Sequence, residues 1–329
     1  NYMYQSNDYY MELIKRYSPQ TRINANLSGG IKKLSYFMNV GYIHQGGNLK
    51  TEDKSFLGYD PSAKMNRWSF RGNLDYQVST HLKAFLNIGT YIEKVNMPNP
   101  DSYQNGDQNW MMRDIIYQAV TILPITPGPT TLPGFGVEEN GVVYPSYLDR
   151  TAFEVVNRQG YLNETRSNMN STFGMELDLG KAVTPGLSIK GMISYDNLSR
   201  TTLKGYKREK LYSVLLDTDN DTFSYATAFS NDKQLSVSRN ANSRYYINMQ
   251  GAVNYNRSFD IHDIGAMFLV QRDNWENEAA DLPYNLVGLV GRATYSYDSR
   301  YFAEMNIGYN GTEQFAPSKR YGFFPAGSA

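Results

Sequence analysis

Residues 66–78 read Asn66-Arg67-Trp68-Ser69-Phe70-Arg71-Gly72-Asn73-Leu74-Asp75-Tyr76-Gln77-Val78. Alternate positions collect Trp68, Phe70, Gly72, Leu74, Tyr76 and Val78 on one side, and Arg67, Ser69, Arg71, Asn73, Asp75 and Gln77 on the other. A period of two sustained this long predicts a β-strand, because successive side chains leave a pleated backbone on opposite sides. After Ser79-Thr80-His81 the pattern resumes, with Leu82, Ala84, Leu86, Ile88 and Ile92 opposite Lys83, Asn87 and Glu93. Each strand is about twice the ~5–6 residues usual in soluble sheets, and suits the ~9–11 that cross a bilayer at a tilt. No charge falls on either apolar face, and Trp68 and Tyr76 sit near its two ends. The pattern predicts a transmembrane β-hairpin, and so an all-β, antiparallel barrel.

Composition agrees. Lys plus Arg and Asp plus Glu each total 32, so no net charge points to nucleic acid. The absence of cysteine excludes thiolate catalysis, disulfides and cysteine-based zinc sites. No apolar run approaches the ~18 residues of a membrane helix. The mean hydropathy of −0.54 argues against a helical membrane protein but not against a barrel, in which only alternate residues meet lipid. Tyrosine is abundant, at 28 residues. The opening residues carry no basic-plus-apolar signal sequence, and the chain is expected to be an internal piece of something longer.

In chain order, 1–20 reads as a Tyr-rich loop. Strands are expected over 21–28, 34–44, 66–78, 82–93, 165–179, 187–197, 244–257, 262–271, 286–297 and 301–310, about ten in one barrel domain covering 1–329. A polar connection spans 45–65. A Pro- and Gly-rich segment spans 94–164, longer than an ordinary connection. Within it, 110–123 has Met111, Met112, Ile115, Ile116 and Ala119 at helical spacing. A second polar segment, 198–243, is expected to hold short strands near 211–216 and 222–228.

The connections alternate in length. Short turns fall at 29–33, 79–81, 180–186, 258–261 and 298–300, with longer links between them. Outer-membrane barrels have this asymmetry, with short periplasmic turns and long extracellular loops. The polarity it assigns places Tyr36, Tyr76, Tyr255, Tyr295, Tyr297 and Tyr301 at periplasmic strand ends, and Tyr42, Trp68, Tyr195, Tyr245 and Tyr309 at outer ends. Two aromatic girdles emerge from an orientation assigned without them. A soluble sandwich or solenoid would explain the alternation, but neither the strand lengths nor the girdles.

Three stretches resemble the SusC/RagA-type TonB-dependent outer-membrane transporters of Bacteroidota. The first is Ser28-Gly29-Gly30 with Tyr36-Phe37, Gly41-Tyr42 and Gln45-Gly46-Gly47. The second is Phe70-Arg71-Gly72-Asn73-Leu74-Asp75. The third, and most specific, is Tyr309-Asn310-Gly311-Thr312, Phe315-Ala316-Pro317 and Lys319-Arg320-Tyr321-Gly322-Phe323-Phe324-Pro325. The resemblance implies a 22-stranded barrel in the bacterial outer membrane, an internal plug, and a TonB box coupling transport to the inner-membrane proton gradient. Neither plug nor TonB box is legible in this sequence, so a mid-barrel portion is expected. The resemblance further implies a SusD-like surface lipoprotein as lid, oligosaccharide or peptide cargo, and no cofactor. Alternatives are a SusC-like barrel serving as a structural or assembly subunit, and a passive porin, against which the family blocks argue.

Nothing in the sequence supports an enzyme. His44, His81 and His262 lack ligand spacing. Asp217-Thr218-Asp219-Asn220-Asp221 imitates the start of a calcium loop, but Thr222 and Ala228 stand where glycine and glutamate are required. A solvated acidic loop is the better reading. Glu176 and Asp178 share the polar face of one strand, where they hydrate a lumen rather than act as acid and base. The candidate substrate- or partner-contact residues are Tyr103, Trp110, Tyr117 and Phe135 in the 94–164 loop. Rings on a proline-restricted loop suit stacking on cargo or gripping a partner, and equally suit packing the loop down.

Overall fold

The computed structural model describes residues 6–101, 106–148, 150–276 and 282–329. Eleven strands form one antiparallel sheet in the order β1 (Gln20–Ile31), β2 (Leu34–Gly46), β3 (Lys64–Gln77), β4 (Leu82–Pro98), β6 (Gly160–Asp178), β7 (Leu187–Arg208), β10 (Lys233–Phe259), β11 (His262–Glu276), β12 (Tyr284–Tyr297), β13 (Tyr301–Thr312) and β14 (Tyr321–Ser328). A second sheet of three short strands holds β5 (Val142–Val143), β8 (Leu211–Asp217) and β9 (Thr222–Phe229). Among the described residues four α-helices, α1 (Tyr9–Leu13), α2 (Lys54–Leu57), α3 (Gln108–Thr121) and α4 (Ala152–Asn157), and a 3-10 turn at Pro317–Lys319 accompany them.

Register carries the alternation of single strands into two continuous faces. One row runs Tyr36, Leu74, Leu86, Phe173, Ile193 and Met249 across six strands. One residue along, the row reads Phe37, Asn73, Asn87, Thr172, Ser194, Asn248 and Asp273. A slip of one residue at any pair would mix the two sets, so burial preference pins the register. Among the described residues no second layer covers the apolar face. Val40, Phe70, Phe173, Ile193, Phe268 and Met305 are all exposed, and no residue of that face enters either buried cluster. An uncovered apolar face this extensive is stable only against another apolar phase, and backbone pairing inside the sheet is what hydrocarbon requires.

All five short turns lie along one margin, here the turn end; the longer connections lie along the other, the loop end. In the two-residue turn Asp260-Ile261, Asp260 has φ 55°, and in the turn after β12 Asp298 and Ser299 have φ 50° and 54°. Aspartate tolerates this left-handed geometry, which matches the twist of the flanking strands. At the turn end His262 lies 5.9 Å from the Tyr295 ring and 5.2 Å from that of Tyr297. At the loop end Tyr42 meets Trp68 at 5.5 Å and Tyr309 stacks on Tyr321 at 5.2 Å.

The loop end departs from the sequence reading in three ways. The 1–20 stretch holds α1, capped by Asp8 accepting from the Met11 N–H at 2.9 Å. The 94–164 connection is shorter than expected, because β4 runs to Pro98 and β6 begins at Gly160. The 198–243 segment is largely strand. β7 and β10 pair from Leu187–Tyr255 up to Arg208–Lys233, giving strands of 22 and 27 residues. Above the apolar belt both faces of these strands meet water, so alternation vanishes from the sequence while the backbone ladder continues. The strands expected near 211–216 and 222–228 are present as β8 and β9, in the separate sheet. Gly160 starts β6 at φ 98°, and a Cβ there would come within 2.1 Å of the Gly205 carbonyl oxygen. Only glycine fits that approach.

Candidate ligand-facing cap

The two buried clusters among the described residues lie in the loop-end connections. The first joins Leu13, Ile14, Leu49, Met111, Ile115, Ala119, Ala152, Val155 and Val156. It is built from α1, the link after β2, α3 and α4. The second joins Val143, Tyr212 and Tyr225, with Val137, Val214 and Phe223 against them. These segments therefore fold as a packed cap on the sheet rather than as loose loops.

Helix α3 is central to it. Asp107 caps its start, accepting from the Asn109 and Trp110 N–H groups at 2.8 and 3.1 Å. Met111, Ile115 and Ala119, at helical spacing, enter the core. Gln118 locks the helix to the next element: its Nε2 donates to the Arg150 carbonyl at 2.8 Å, and its Oε1 accepts from the Ala152 N–H at 2.7 Å. The outer face is left to solvent, with Trp110 58% and Tyr117 64% exposed. The Arg113 guanidinium lies 5.0 Å from the Trp110 ring centre.

The four candidate contact residues thus part company. Trp110 and Tyr117 are presented on one rigid helix face. Phe135 packs in the cap, stacking on Phe223 at 4.6 Å and meeting Tyr225 edge-on at 5.4 Å, and stays 38% exposed. Tyr103 lies outside the described residues. Near α3, Leu123, Ile125, Tyr144, Tyr147, Val214 and Leu216 line an apolar groove of about 280 Å³. The Asp217 turn closes on itself, its carboxylate accepting from the Asp219 and Asn220 N–H groups at 3.1 and 3.2 Å and from the Asn220 side chain at 2.8 Å.

What sequence reasoning missed is the knot that ties cap to sheet. Arg158, whose side chain is 4% exposed, makes two 2.6 Å bonds to Glu52 and one of 3.1 Å to Glu209. Its guanidinium lies 4.8 Å from the Phe56 ring and 5.8 Å from Phe153. Beside it the Tyr59 hydroxyl donates to the Asn157 carbonyl at 2.7 Å and accepts from the Gly160 N–H at 3.2 Å. Burial pushes the Tyr59 phenol well above its ordinary value, so it remains a donor. At the far side Tyr9 donates to the Thr126 carbonyl at 2.6 Å, and burial pushes its pKa up to about 12. Partners separated by about a hundred residues leave no local signal in a sequence. Glu52 and Arg158 are individually unremarkable surface-type residues.

Below the cap, the polar face of the sheet carries a charged row. Arg67 on β3, Glu93 on β4, Arg166 on β6 and Arg200 on β7 stand in register. Arg166 reaches Glu93 at 3.4 Å, and Arg200 reaches Glu164 at 3.7 Å. Arg67 also lies 4.1 Å from the Tyr91 ring centre. A charged, hydrogen-bonding face backed by an apolar one is the cross-section of a transmembrane barrel wall with a wet interior.

Solved structures show the same fold. The RagAB peptide importer in its closed-closed state superposes with a TM-score of 0.66 at 15% identity, over 97% of this chain and 34% of that one. The RagAB peptide transporter gives 0.64 at 16% identity, over 98% and 35%. The open-open state of the importer gives 0.64 at 16% identity, over 97% and 34%. No family model and no curated protein sequence matches the chain. The chain is all-β, an antiparallel portion of a transmembrane β-barrel, and it spans about a third of the length of these transporters.

Proposed function

We propose that this chain forms part of the barrel wall of a TonB-dependent outer-membrane importer for large nutrients. The carrying observation is the superposition on the RagAB peptide importer along nearly the whole chain. The uncovered apolar belt and polar inner face support it. In this reading the loop end faces outward, and the cap with Trp110 and Tyr117 contacts either cargo or a SusD-like lid lipoprotein. The plug and TonB-coupling segment belong to the remainder of a longer protein, and the cargo is a peptide or an oligosaccharide.

The test uses the full-length protein in its native membrane. Trp110→Ala/Tyr117→Ala leaves both cores untouched, since both side chains are exposed. Surface expression is expected to stay normal while lid copurification, or growth on the imported nutrient, falls several-fold. Deleting the TonB-coupling segment should abolish uptake. Uptake that survives that deletion indicates a passive porin, and a protein with no uptake that copurifies with assembly machinery indicates a structural subunit.

A further inference from the structure

On the polar face of the sheet near the loop end, three rings form a ladder. Tyr246 on β10, Trp275 on β11 and Tyr284 on β12 stand in register. Their centres are 6.3 and 5.5 Å apart, with 38° and 21° between planes. Every apolar-belt aromatic lies on the other side of the sheet. Phe37, Phe85 and Tyr91 also lie on this face, on β2 and β4, but here three rings on adjacent strands stand side by side. Lipid contact does not explain them.

Two carboxylates flank the ladder. Asp273, two residues from Trp275 on the same face, is 8% exposed. It accepts from the Tyr246 hydroxyl at 2.7 Å and from Asn248 Nδ2 at 2.5 Å. Asp196 on β7 stands directly across from Tyr246 and accepts from the Asn168 and Asn170 side chains. Among the described residues neither carboxylate has an ion pair, whereas Glu93, Glu164 and Glu304 on the same face are all paired. Arg244, two residues from Tyr246 on that face, is exposed and is the cation nearest in sequence to the ladder on β10. A carboxylate this buried with neutral donors alone is electrostatically incomplete. Ring faces attract cations for the same reason that carboxylates do, through negative potential.

We infer that Tyr246, Trp275 and Tyr284, with Asp273 and Asp196, form a subsite for a guanidinium or ammonium group carried on an extended peptide. The inference rests on the importer reading, which places this face in the lumen. The cation packs against the accessible surface of the ring ladder and takes its counter-charge from Asp273. The bonds from Tyr246 and Asn248 hold that carboxylate in place before binding, so little ordering is left to do when the ligand arrives. A neutral sugar ring would also stack, but would leave the buried charge uncompensated.

The test is calorimetry on the full-length transporter in detergent, with a capped Ala-Arg-Ala peptide, its neutral citrulline counterpart, and agmatine as a free cation. The arginine peptide is expected to bind about tenfold or more tightly than the citrulline peptide. Asp273→Asn should remove most of that difference while keeping an acceptor for Tyr246. Trp275→Phe, which preserves packing, should weaken the arginine peptide by a smaller factor. Heat-modifiable migration on gels verifies that each variant is folded. Equal binding of the two peptides, no binding of the arginine peptide, or arginine preference unchanged in Asp273→Asn would each overturn the subsite. Agmatine binding as tightly as the peptide would overturn the peptide assignment. Radiolabelled uptake separates the two readings: citrulline-peptide uptake without arginine preference sinks the subsite alone, while uptake of neither peptide in cells sinks peptide import itself.

Discussion

Replacing Arg158 by alanine removes the buried cation of the knot that fastens the cap; Lys207 remains paired with Glu209 at 2.5 Å, while Glu52 loses its partner. Three charge-assisted bonds are lost, two to Glu52 and one to Glu209, together with stacking on Phe56 and Phe153. Breaking a fully buried pair costs about 3–5 kcal/mol, because the partner charge is left stranded. Glu52 and Glu209 are 24% and 16% exposed at their side chains, so both regain some water when Arg158 is gone. Screening at those edges lowers the expected cost to about 2–4 kcal/mol. That loss should appear as local opening, since the knot joins connections and no residue of the apolar belt touches it. Hydrogen exchange by mass spectrometry on the lipid-reconstituted, full-length protein reads it directly. Amides of 52–59, 153–160 and 207–210 should lose protection by about 30- to 1000-fold. The belt segments 68–76 and 84–92 should not change. Arg158→Lys should fall between, because a point charge cannot make the forked bond to Glu52. Unchanged cap protection, or equal loss in the belt strands, would refute the idea that this knot holds the cap as a separate unit.

Other outcomes are expected. Leu74→Arg and Ile88→Arg, on the apolar face, should each destabilise the barrel by about 2–4 kcal/mol in folding titrations into lipid vesicles. Asn73→Arg and Asn87→Arg, one residue away on the polar face, should be far milder, and equal effects would mean the two faces are misassigned. Tyr9 has a folded pKa raised to about 12 against ~10 unfolded. Its stabilising contribution is therefore full below pH ~10 and is lost as pH rises through about 12. Tyr9→Phe should cost about 1 kcal/mol of α1 docking at neutral pH and flatten that alkaline loss, measured by proteolysis of the N-terminal segment. Gly160→Ala should disrupt the start of β6 through its clash with the Gly205 carbonyl, seen as selective exchange at 160–164 and 203–206.

The belt was legible in the sequence because lipid imposes a strict rule on one side of every strand. In Trp68-Ser69-Phe70 and Leu86-Asn87-Ile88 each residue's neighbours in sequence lie on the opposite face. Strand identity, direction and the two faces could be read from alternation and turn residues. Helix α3 was legible for a related reason, since its inner stripe repeats at the spacing a core demands. Where both faces meet water the rule disappears. The upper halves of β7 and β10, with Thr201-Thr202 and Ser238-Arg239-Asn240, looked like loop, and only backbone pairing between neighbours makes them strand. The same limit hid the cap's interior. Nothing near Phe135 shows that its ring stacks on Phe223 and Tyr225, because those partners lie far along the chain. Arg158 finds Glu52 across 106 positions, and Tyr246, Trp275 and Tyr284 become one ladder only when three strands align. Local periodicity reports the solvent on each side of a strand; which distant side chains meet is decided by the register and packing of the folded chain.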